Sequence, residues 1–502
     1  MSRRTGWSVT VMVLGLAVAA GGVARGEEPR VLRAGAAVGD ITPELGTMII
    51  GGFSPTPAKH IHDPLQVRAL ALDDGTVRLA LVVCDNIGLP REVCDEAKRL
   101  TRERSGLEAA RILISSTHTH SATAAGTETS LGPNGGRALP GEPVPAGGLT
   151  AYQRFIASRI ADTIQRAITH LEPARIGWGS GREPDQVFNR RWHVSDEALR
   201  RNPFGGVDTV RMNPPAGSPA LVKPAGPTDP EISFLSVQAI NGRPIALYAA
   251  YSLHYVGGVP AGVVSADYFA MFCSRIGQLI EEGRGAPRDP AAPPFVGLLA
   301  NGTSGDVNNV NFRAKRAQQP PFEQMRKVAH AVAAEVYRAY QTIEHRPWVP
   351  LDSRLEDLTL ASRRPTPEMI TRARELLARP AGGPGWHPLE KAYANRVLQR
   401  AEAPATVQVP LQVLRIGDVG VLTLPVETFA EMGLELKAKS PFAKAFAVSL
   451  ANGYLGYMPT PAQHQLGGYE SWVGTNRVEI DAAPKMSAVL LRLAGEIAPK
   501  TP

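Results

Sequence analysis

Cysteine is scarce: Cys84, Cys94 and Cys273 are the only three in 502 residues. So few cannot build a disulfide framework, and their spacing excludes a zinc ribbon. Cys84 falls in an apolar strand and Cys94 and Cys273 in helices, which predicts buried thiols with at most one disulfide. Long hydrophobic runs are missing too. After the stretch from Trp7 to about Val23, nothing approaches the ~18 residues that would span a bilayer. That stretch follows Ser2-Arg3-Arg4 and precedes Ala24-Arg25-Gly26. A basic start, an apolar centre and a small-residue exit predict a secretory signal peptide over residues 1–26, and hence an exported protein, periplasmic or extracellular. Charge of one sign is also lacking. The formal net charge is +7, and removing Arg3, Arg4 and Arg25 with the leader leaves +4. No basic run interleaved with aromatics occurs, so nucleic acid is not an expected partner. No internal repeat is visible.

What remains reads as an α/β protein of layered mixed sheets flanked by helices, with one catalytic domain over 27–502. Buried strands are expected at Leu79 to Cys84 and Ala110 to Ile114, and a further strand at Ala174 to Gly179. Two hairpins are expected: Ile232 to Ala239 with Pro244 to Tyr251, turning at Asn241-Gly242, and Val407 to Ile416 with Val419 to Leu424, turning at Gly417-Asp418. Helical spacing of apolar residues marks Glu92 to Arg104, Ala151 to His170, Asp267 to Glu282, Phe322 to Ile343 and Ser487 to Ile497. A helical insertion is expected over about 351–405, broken at Ala381-Gly382-Gly383-Pro384-Gly385. Two Pro/Gly-rich stretches, Gly126 to Gly148 and Asn202 to Pro230, read as surface loops, the second as a cover for a site or a tolerated insertion.

The chain is organised around Ser115-Ser116-Thr117-His118-Thr119-His120-Ser121. Side chains two apart on a strand share a face, so His118 and His120 are expected to converge at the strand's end. Three other apolar strands also deliver a polar group at their exits: His254, Glu427 and Tyr457. Each has a plainer explanation. His254 can be a satisfied buried histidine, Glu427 the start of a helix, and Tyr457 a core aromatic. Their joint placement at strand exits favours a metal. Two imidazoles and a carboxylate match hydrolytic zinc sites with an open position, and a phenolate is a rarer fourth ligand. Bound zinc would bring the pKa of a water to about 7. His120, beside the ligand His118, is then placed to move a proton to a leaving amine.

These residues resemble the neutral (non-lysosomal) ceramidases, secreted zinc amidohydrolases that cleave N-acylsphingosine into a fatty acid and sphingosine. The resemblance runs from about Leu32 to the end of the chain. It is carried by Gly39-Asp40-Ile41-Thr42-Pro43, Thr117-His118-Thr119-His120-Ser121, Leu253-His254, Pro425-Val426-Glu427 and Ala451-Asn452-Gly453-Tyr454-Leu455-Gly456-Tyr457, with Tyr469 twelve residues further on. It implies a Zn²⁺ ion held by His118, His254, Glu427 and Tyr457, with His120 as acid and base. It further implies Tyr469 at the oxyanion and Arg190, in Asn189-Arg190, at the substrate carbonyl. Asp267 and Asp306 are implied beside the substrate or behind the ligands. The implied substrate is a lipid amide of sphingolipid type.

Two departures stand out. The chain ends soon after Tyr469, leaving no room for the family's C-terminal immunoglobulin-like domain. The family's motif serine is replaced by Asn308 in Gly305-Asp306-Val307-Asn308. Asn308 is expected to donate to an oxyanion rather than act as a nucleophile, and to turn the protein away from long-chain ceramide. Two other functions compatible with the same residues are a zinc hydrolase of another exported ester or amide, such as an acylated carbohydrate, and a catalytically silent, metal-containing binding protein.

Overall fold

The computed structural model of the chain describes residues 1–2, 5–11, 30–51, 55–123, 125, 148–285, 289–315, 317–379 and 385–500. Met1–Arg30 is one unit and Val31–Pro502 a second, and the sheets and helices all belong to the second. Most of the expected signal peptide lies outside the described residues, as do all but the last residue of the expected loop at Gly126 to Gly148 and residues 381–384 of the helical insertion.

Eight strands form the larger sheet: β1 (Arg33–Asp40), β2 (Gln66–Asp73), β3 (Arg78–Cys84), β4 (Ile112–Ser116), β5 (Glu172–Arg182), β6 (Glu231–Ala239), β7 (Pro244–Tyr251) and β8 (Val296–Asn301), in spatial order β8-β7-β6-β5-β1-β2-β3-β4. The outermost pairs, β7 with β8 and β3 with β4, are parallel, and the rest are antiparallel. A second sheet holds β9 (Leu351–Ala361), β10 (Thr406–Ile416), β11 (Val419–Thr423) and β12 (Lys444–Val448) in that order. The α-helices are α1 (Arg91–Ser105), α2 (Ala151–Thr169), α3 (Asp267–Arg284), α4 (Glu323–Tyr340), α5 (Pro367–Ala378), α6 (Glu390–Ala401), α7 (Ala430–Lys439), α8 (Pro461–Gln465) and α9 (Ala482–Ile497).

The layers follow from which faces are apolar. The two sheets pack face to face through Leu70, Leu72 and Leu81 on one side and Leu414, Val421 and Phe446 on the other. The outer face of the larger sheet is covered in two halves. Ile156, Ile160 and Ile164 of α2 lie on Val67, Ala69 and Val82, while α3 and α4 lie on Phe234, Leu247 and Leu299. On the outer face of the second sheet, Met486, Leu490 and Leu493 of α9 cover Leu411, Val413 and Leu422. The result is four layers, helix on sheet on sheet on helix, in agreement with the layered α/β reading. All three cysteines are buried and free.

Two elements differ from expectation and one was not anticipated. Leu351–Ala361, at the head of the expected helical insertion, is a strand paired along its whole length with β10. The helical pair α5 and α6 follows it and packs around its own small core of Ala373, Leu376, Ala394 and Val397. Arg33–Asp40 is a central strand although its sequence is mostly glycine and alanine. Helix α2 crosses it so closely that a Cβ at Gly35 would run into the backbone of Ala167 and His170. The excursion at Asn202 to Pro230 carries two short strands, Val210–Met212 and Leu221–Pro224, on either side of Arg191–Val194.

The curl of the larger sheet places the site. Strands β4 and β8 are its opposite edges, yet one chain segment bonds to both. Beyond β12, the Ser449 N–H donates to the Asn301 carbonyl at 2.9 Å. The Ser116 N–H donates to the Leu450 carbonyl at 3.1 Å, and the Asn452 N–H to the Ile114 carbonyl at 2.7 Å. The Asn301 side chain completes the seam by donating to the Thr117 carbonyl at 3.1 Å. Strand edges that would otherwise stand open are thus consumed internally, and the loops leaving β4, β7, β8 and β11 emerge together.

Candidate metal centre

Strand β4 ends at Ser116, two residues before His118. The Thr117 and His118 N–H groups donate to the carbonyls of Cys84 and Asn86, both at 2.9 Å. His118 itself takes φ 70°, a left-handed conformation that costs a non-glycine residue on the order of 1–3 kcal/mol and tends to persist where function requires it. Convergence of His118 and His120 is therefore achieved, but by a turn rather than by strand alternation. Their Nε2 atoms stand 3.2 Å apart. His254 arrives from the end of β7, and the three imidazoles present ligand atoms within 4.8 Å of one another.

The nitrogens not facing the centre settle the tautomers. His118 Nδ1 lies 2.5 Å from the Ile87 carbonyl, His254 Nδ1 lies 3.0 Å from the Ser304 carbonyl, and His120 Nδ1 contacts the Gly51 carbonyl. A carbonyl only accepts, so each Nδ1 donates, and any of these rings in its neutral form turns a bare Nε2 lone pair inward. Burial pushes His120 and His254 well below the usual imidazole range, with neighbouring His118 and Arg190 acting in the same direction. Glu427 adds one more acceptor. Its Oε2 is 3.2 Å from His118 Nε2 and 3.6 Å from His254 Nε2, and it is buried without a hydrogen-bond partner. Its Oε1 accepts from the Tyr454 hydroxyl at 2.7 Å. Burial works to raise this carboxyl, but His118, Tyr454 and Arg190 outweigh it and hold it at about 2.

Converging lone pairs beside an orphaned carboxylate oxygen repel one another unless a cation sits among them. Atoms bound tetrahedrally at about 2.0–2.1 Å lie roughly 3.3 Å apart, close to the 3.2 and 3.6 Å between Glu427 Oε2 and the His118 and His254 Nε2 atoms. The donor set fits a divalent metal.

Around this centre is a cavity of about 280 Å³. Tyr457, Tyr469 and Arg190 line it, as do Met212 and Asn213 from the excursion; that stretch does cover the site. Tyr457 lies in a two-residue parallel pairing with Glu427, its ring 5.2 Å from the Arg190 guanidinium and 5.7 Å from the Tyr469 ring. Burial raises the Tyr457 hydroxyl well above the usual phenol range. Arg190 Nη1 is 3.4 Å from His254 Nε2, its Nε donates to Glu470 Oε1 at 3.0 Å, and its Nη2 is buried without a hydrogen-bond partner.

Asp267 and Asp306, expected beside the substrate or behind the ligands, are taken up by the framework, and neither lines the cavity. Asp267 accepts from the N–H groups of Val256, Gly257 and Tyr268 and so shapes the loop just beyond His254. Asp306 accepts from the Asn189 side chain and from the Ala430 N–H at the start of α7, joining the arginine-bearing segment to the Glu427-bearing one. Burial pushes each of these carboxyls up to about 6. Asn308 does not line the metal cavity. It lies in an adjoining cleft, its Nδ2 donating to Asn213 at 2.7 Å and its Oδ1 accepting from the Val310 N–H. One of its two amide hydrogens is thereby taken up by Asn213, which itself lines the metal cavity.

Sequence reasoning did not assign three contributors. Tyr454 fixes the carboxylate, and its position three residues before Tyr457 was the available signal. Tyr255 stacks on His120 with ring centroids 3.7 Å apart and adjoins His254. Glu470 binds Arg190 and also Arg191, at 2.7 Å, anchoring the turn that carries Tyr469.

Gly305 shows how close the packing is. Its N–H donates to the Thr428 carbonyl at 2.8 Å, and a Cβ there would run into the Glu427 carbonyl. Gly305→Ala is expected to displace Glu427 and weaken metal binding by about 10–100-fold, read by competition with a chromogenic chelator. Unchanged affinity in a normally folded variant would show that this backbone contact does not hold the carboxylate.

No family model and no curated protein sequence matches the chain. Among solved structures, the fold matches the neutral ceramidase from Pseudomonas aeruginosa with a TM-score of 0.67 at 18% identity, covering 94% of this chain and 76% of that one. A ceramidase complexed with C2 matches with a TM-score of 0.67 at 17% identity over the same shares. What this chain has in common with both is the fold.

Proposed function

We propose that the protein is an exported, metal-dependent amidohydrolase of the ceramidase type, with Zn²⁺ held by His118, His254, Glu427 and Tyr457. The observation that carries this reading is the set of inward-facing Nε2 lone pairs around the partnerless Glu427 Oε2. Imidazole and carboxylate donors suit zinc, and the fold likeness to ceramidases supports amide chemistry. When bound, such a metal supplies Lewis acidity to a carbonyl and acidity to water.

The protein's own groups do the rest. His120, neutral and locked by the Gly51 carbonyl and the Tyr255 ring, offers Nε2 as base. It takes the proton of the attacking water as the new C–O bond forms and returns it to nitrogen as the C–N bond breaks, leaving a carboxylic acid and an amine. We assign Arg190 Nη2 and the Tyr469 hydroxyl to hold the carbonyl oxygen as it gains charge. Glu470 keeps Arg190 in place.

The test is metal analysis of purified protein with turnover of a panel of short-chain amides, before and after chelation. Stoichiometric zinc, loss of turnover on chelation and recovery on adding zinc are expected. Zinc without turnover of any amide would overturn the hydrolase reading in favour of a metal-holding binding protein, and turnover indifferent to chelation would overturn the metal's role.

A further inference from the structure

Asn213 stands where the metal cavity meets the adjoining cleft, a space of about 690 Å³. With Arg190 and Tyr255 it lines both, so a substrate arm that leaves the metal centre on this side passes it. The polarity of its amide is fixed from behind. The Val310 N–H only donates, so the Asn308 atom it meets at 3.1 Å is the oxygen. The other end of that amide, Nδ2, faces Asn213 at 2.7 Å, and a donating nitrogen must be met there by the Asn213 oxygen. Asn213 Oδ1 is thus taken, while its Nδ2 hydrogens have no acceptor among the described residues.

The backbone is held as well. The Asn213 N–H donates to the Arg190 carbonyl at 2.8 Å, its φ is 48°, and Pro214-Pro215 follow. The Gly217 N–H donates to the Phe312 carbonyl at 2.8 Å, pinning the excursion to the segment that carries Asn308. The plain reading is an exposed amide satisfied by water. Such an amide needs no fixed direction, whereas this one is held at its backbone and its oxygen with its donors left over, as in a site organised ahead of its ligand.

The cleft beyond mixes apolar side chains, among them Val256 and Phe312, with Asn308, Asn309 and Lys315, and no carboxylate lines it. Asn309 is occupied by Gln186 and Gln324. Asn213, Asn308 and Lys315 each keep hydrogens to donate, and such a cleft suits an arm rich in acceptor oxygens. Resting on the amidohydrolase reading, we infer that Asn213 is a substrate-binding residue that donates to an oxygen on a hydroxylated arm of the amide, as in an N-acylated amino sugar, and that Asn308 is the positioning residue that keeps its N–H groups turned to the substrate.

The test uses zinc-loaded enzyme and two matched pairs of amides. N-hexanoylglucosamine and N-cyclohexylhexanamide differ in hydroxyls on the amine side, N-hexylgluconamide and N-hexylhexanamide in hydroxyls on the acyl side. In one pair the hydroxylated amide is expected to have a kcat/KM at least about tenfold above its partner, which also locates the arm. In Asn213→Ala that ratio falls by about tenfold, through KM. Asn308→Asp removes the donor that holds the Asn213 oxygen, so the Asn213 amide turns round and the ratio falls likewise. In the Asn213→Ala background Asn308→Asp changes the ratio no further, because it acts only through Asn213. Binding of the favoured amide to metal-free protein, followed by calorimetry, weakens by about the same factor in Asn213→Ala. Equal rates within both pairs overturn the inference and leave the amidohydrolase reading intact. So does Asn308→Asp slowing all four amides in proportion, which marks a structural role, or equal binding by wild-type protein and Asn213→Ala. No turnover of any of the four overturns the amidohydrolase reading and this inference with it.

Discussion

His118→Ala and His254→Ala are expected to purify with little or no metal, their affinity lowered by 100-fold or more. Replacing a partner behind a ligand already costs about 10–100-fold, and these substitutions remove the ligand itself. Each leaves Glu427 Oε2 facing fewer donors across the gaps of 3.2 and 3.6 Å now spanned by the imidazoles. Glu427→Gln should behave alike, because it keeps the shape of the side chain but removes the charge that offsets the cation. Elemental analysis after gel filtration, with a thermal melt to confirm folding, is the measurement. Full zinc occupancy in both histidine variants would mean that the metal binds elsewhere.

His120→Ala is expected to keep its zinc and lose on the order of 10²–10⁴ in turnover. In the proposed reaction the ring has a different task from its neighbour, although geometry alone does not separate them. The Nε2 of His120 is as near to His118 Nε2 as Glu427 Oε2 is, at 3.2 Å in each case. What distinguishes His120 is its surroundings. It is the more exposed of the three imidazoles, lies against Tyr255, and has no ion-pair contact with Glu427 in the structure, whereas the other two do. A group that shuttles protons needs access to water and substrate, while a ligand needs only the metal. Loss of metal in His120→Ala would make it a third imidazole ligand and leave the proton carrier to be found. Retained metal with unchanged turnover would remove His120 from the mechanism.

The parts of this protein that were legible in its sequence are those where a local signal and the tertiary structure agree. Asn241-Gly242 and Gly417-Asp418 marked hairpins that are present, with Gly242 and Gly417 at φ 81° and 61°. Amphipathic helices such as α2 and α3 were readable from one apolar face. Arg33–Asp40 was not, because a strand covered on both sides shows no alternation, and its glycines answer to the close approach of α2. Leu351–Ala361 has charged residues on its more open face, and its pairing partner lies more than forty residues away; no local pattern reveals that. The ring of polar residues at strand exits was visible as His118, His254, Glu427 and Tyr457. The carbonyls that orient the rings, and the Asn213 amide, were not, since they meet the site only through long-range packing.

The seam made by Ser449–Asn452 has a consequence for how the protein comes to be active. The strand edges it unites, Ile114 and Ser116 on one side and Asn301 on the other, lie 185 or more positions apart in the chain, and the proposed ligands are distributed in the same way from 118 to 457. Closing loops of that size costs entropy before any contact repays it, so the pocket forms among the last events of folding and has no local precursor. Nascent or clipped chains that stop short of the seam should be unable to sequester zinc at all, and holoprotein formation becomes a checkpoint on the integrity of nearly the entire polypeptide. Uptake of the ion should therefore protect even amides distant from it against hydrogen exchange, by mass action on one cooperative equilibrium.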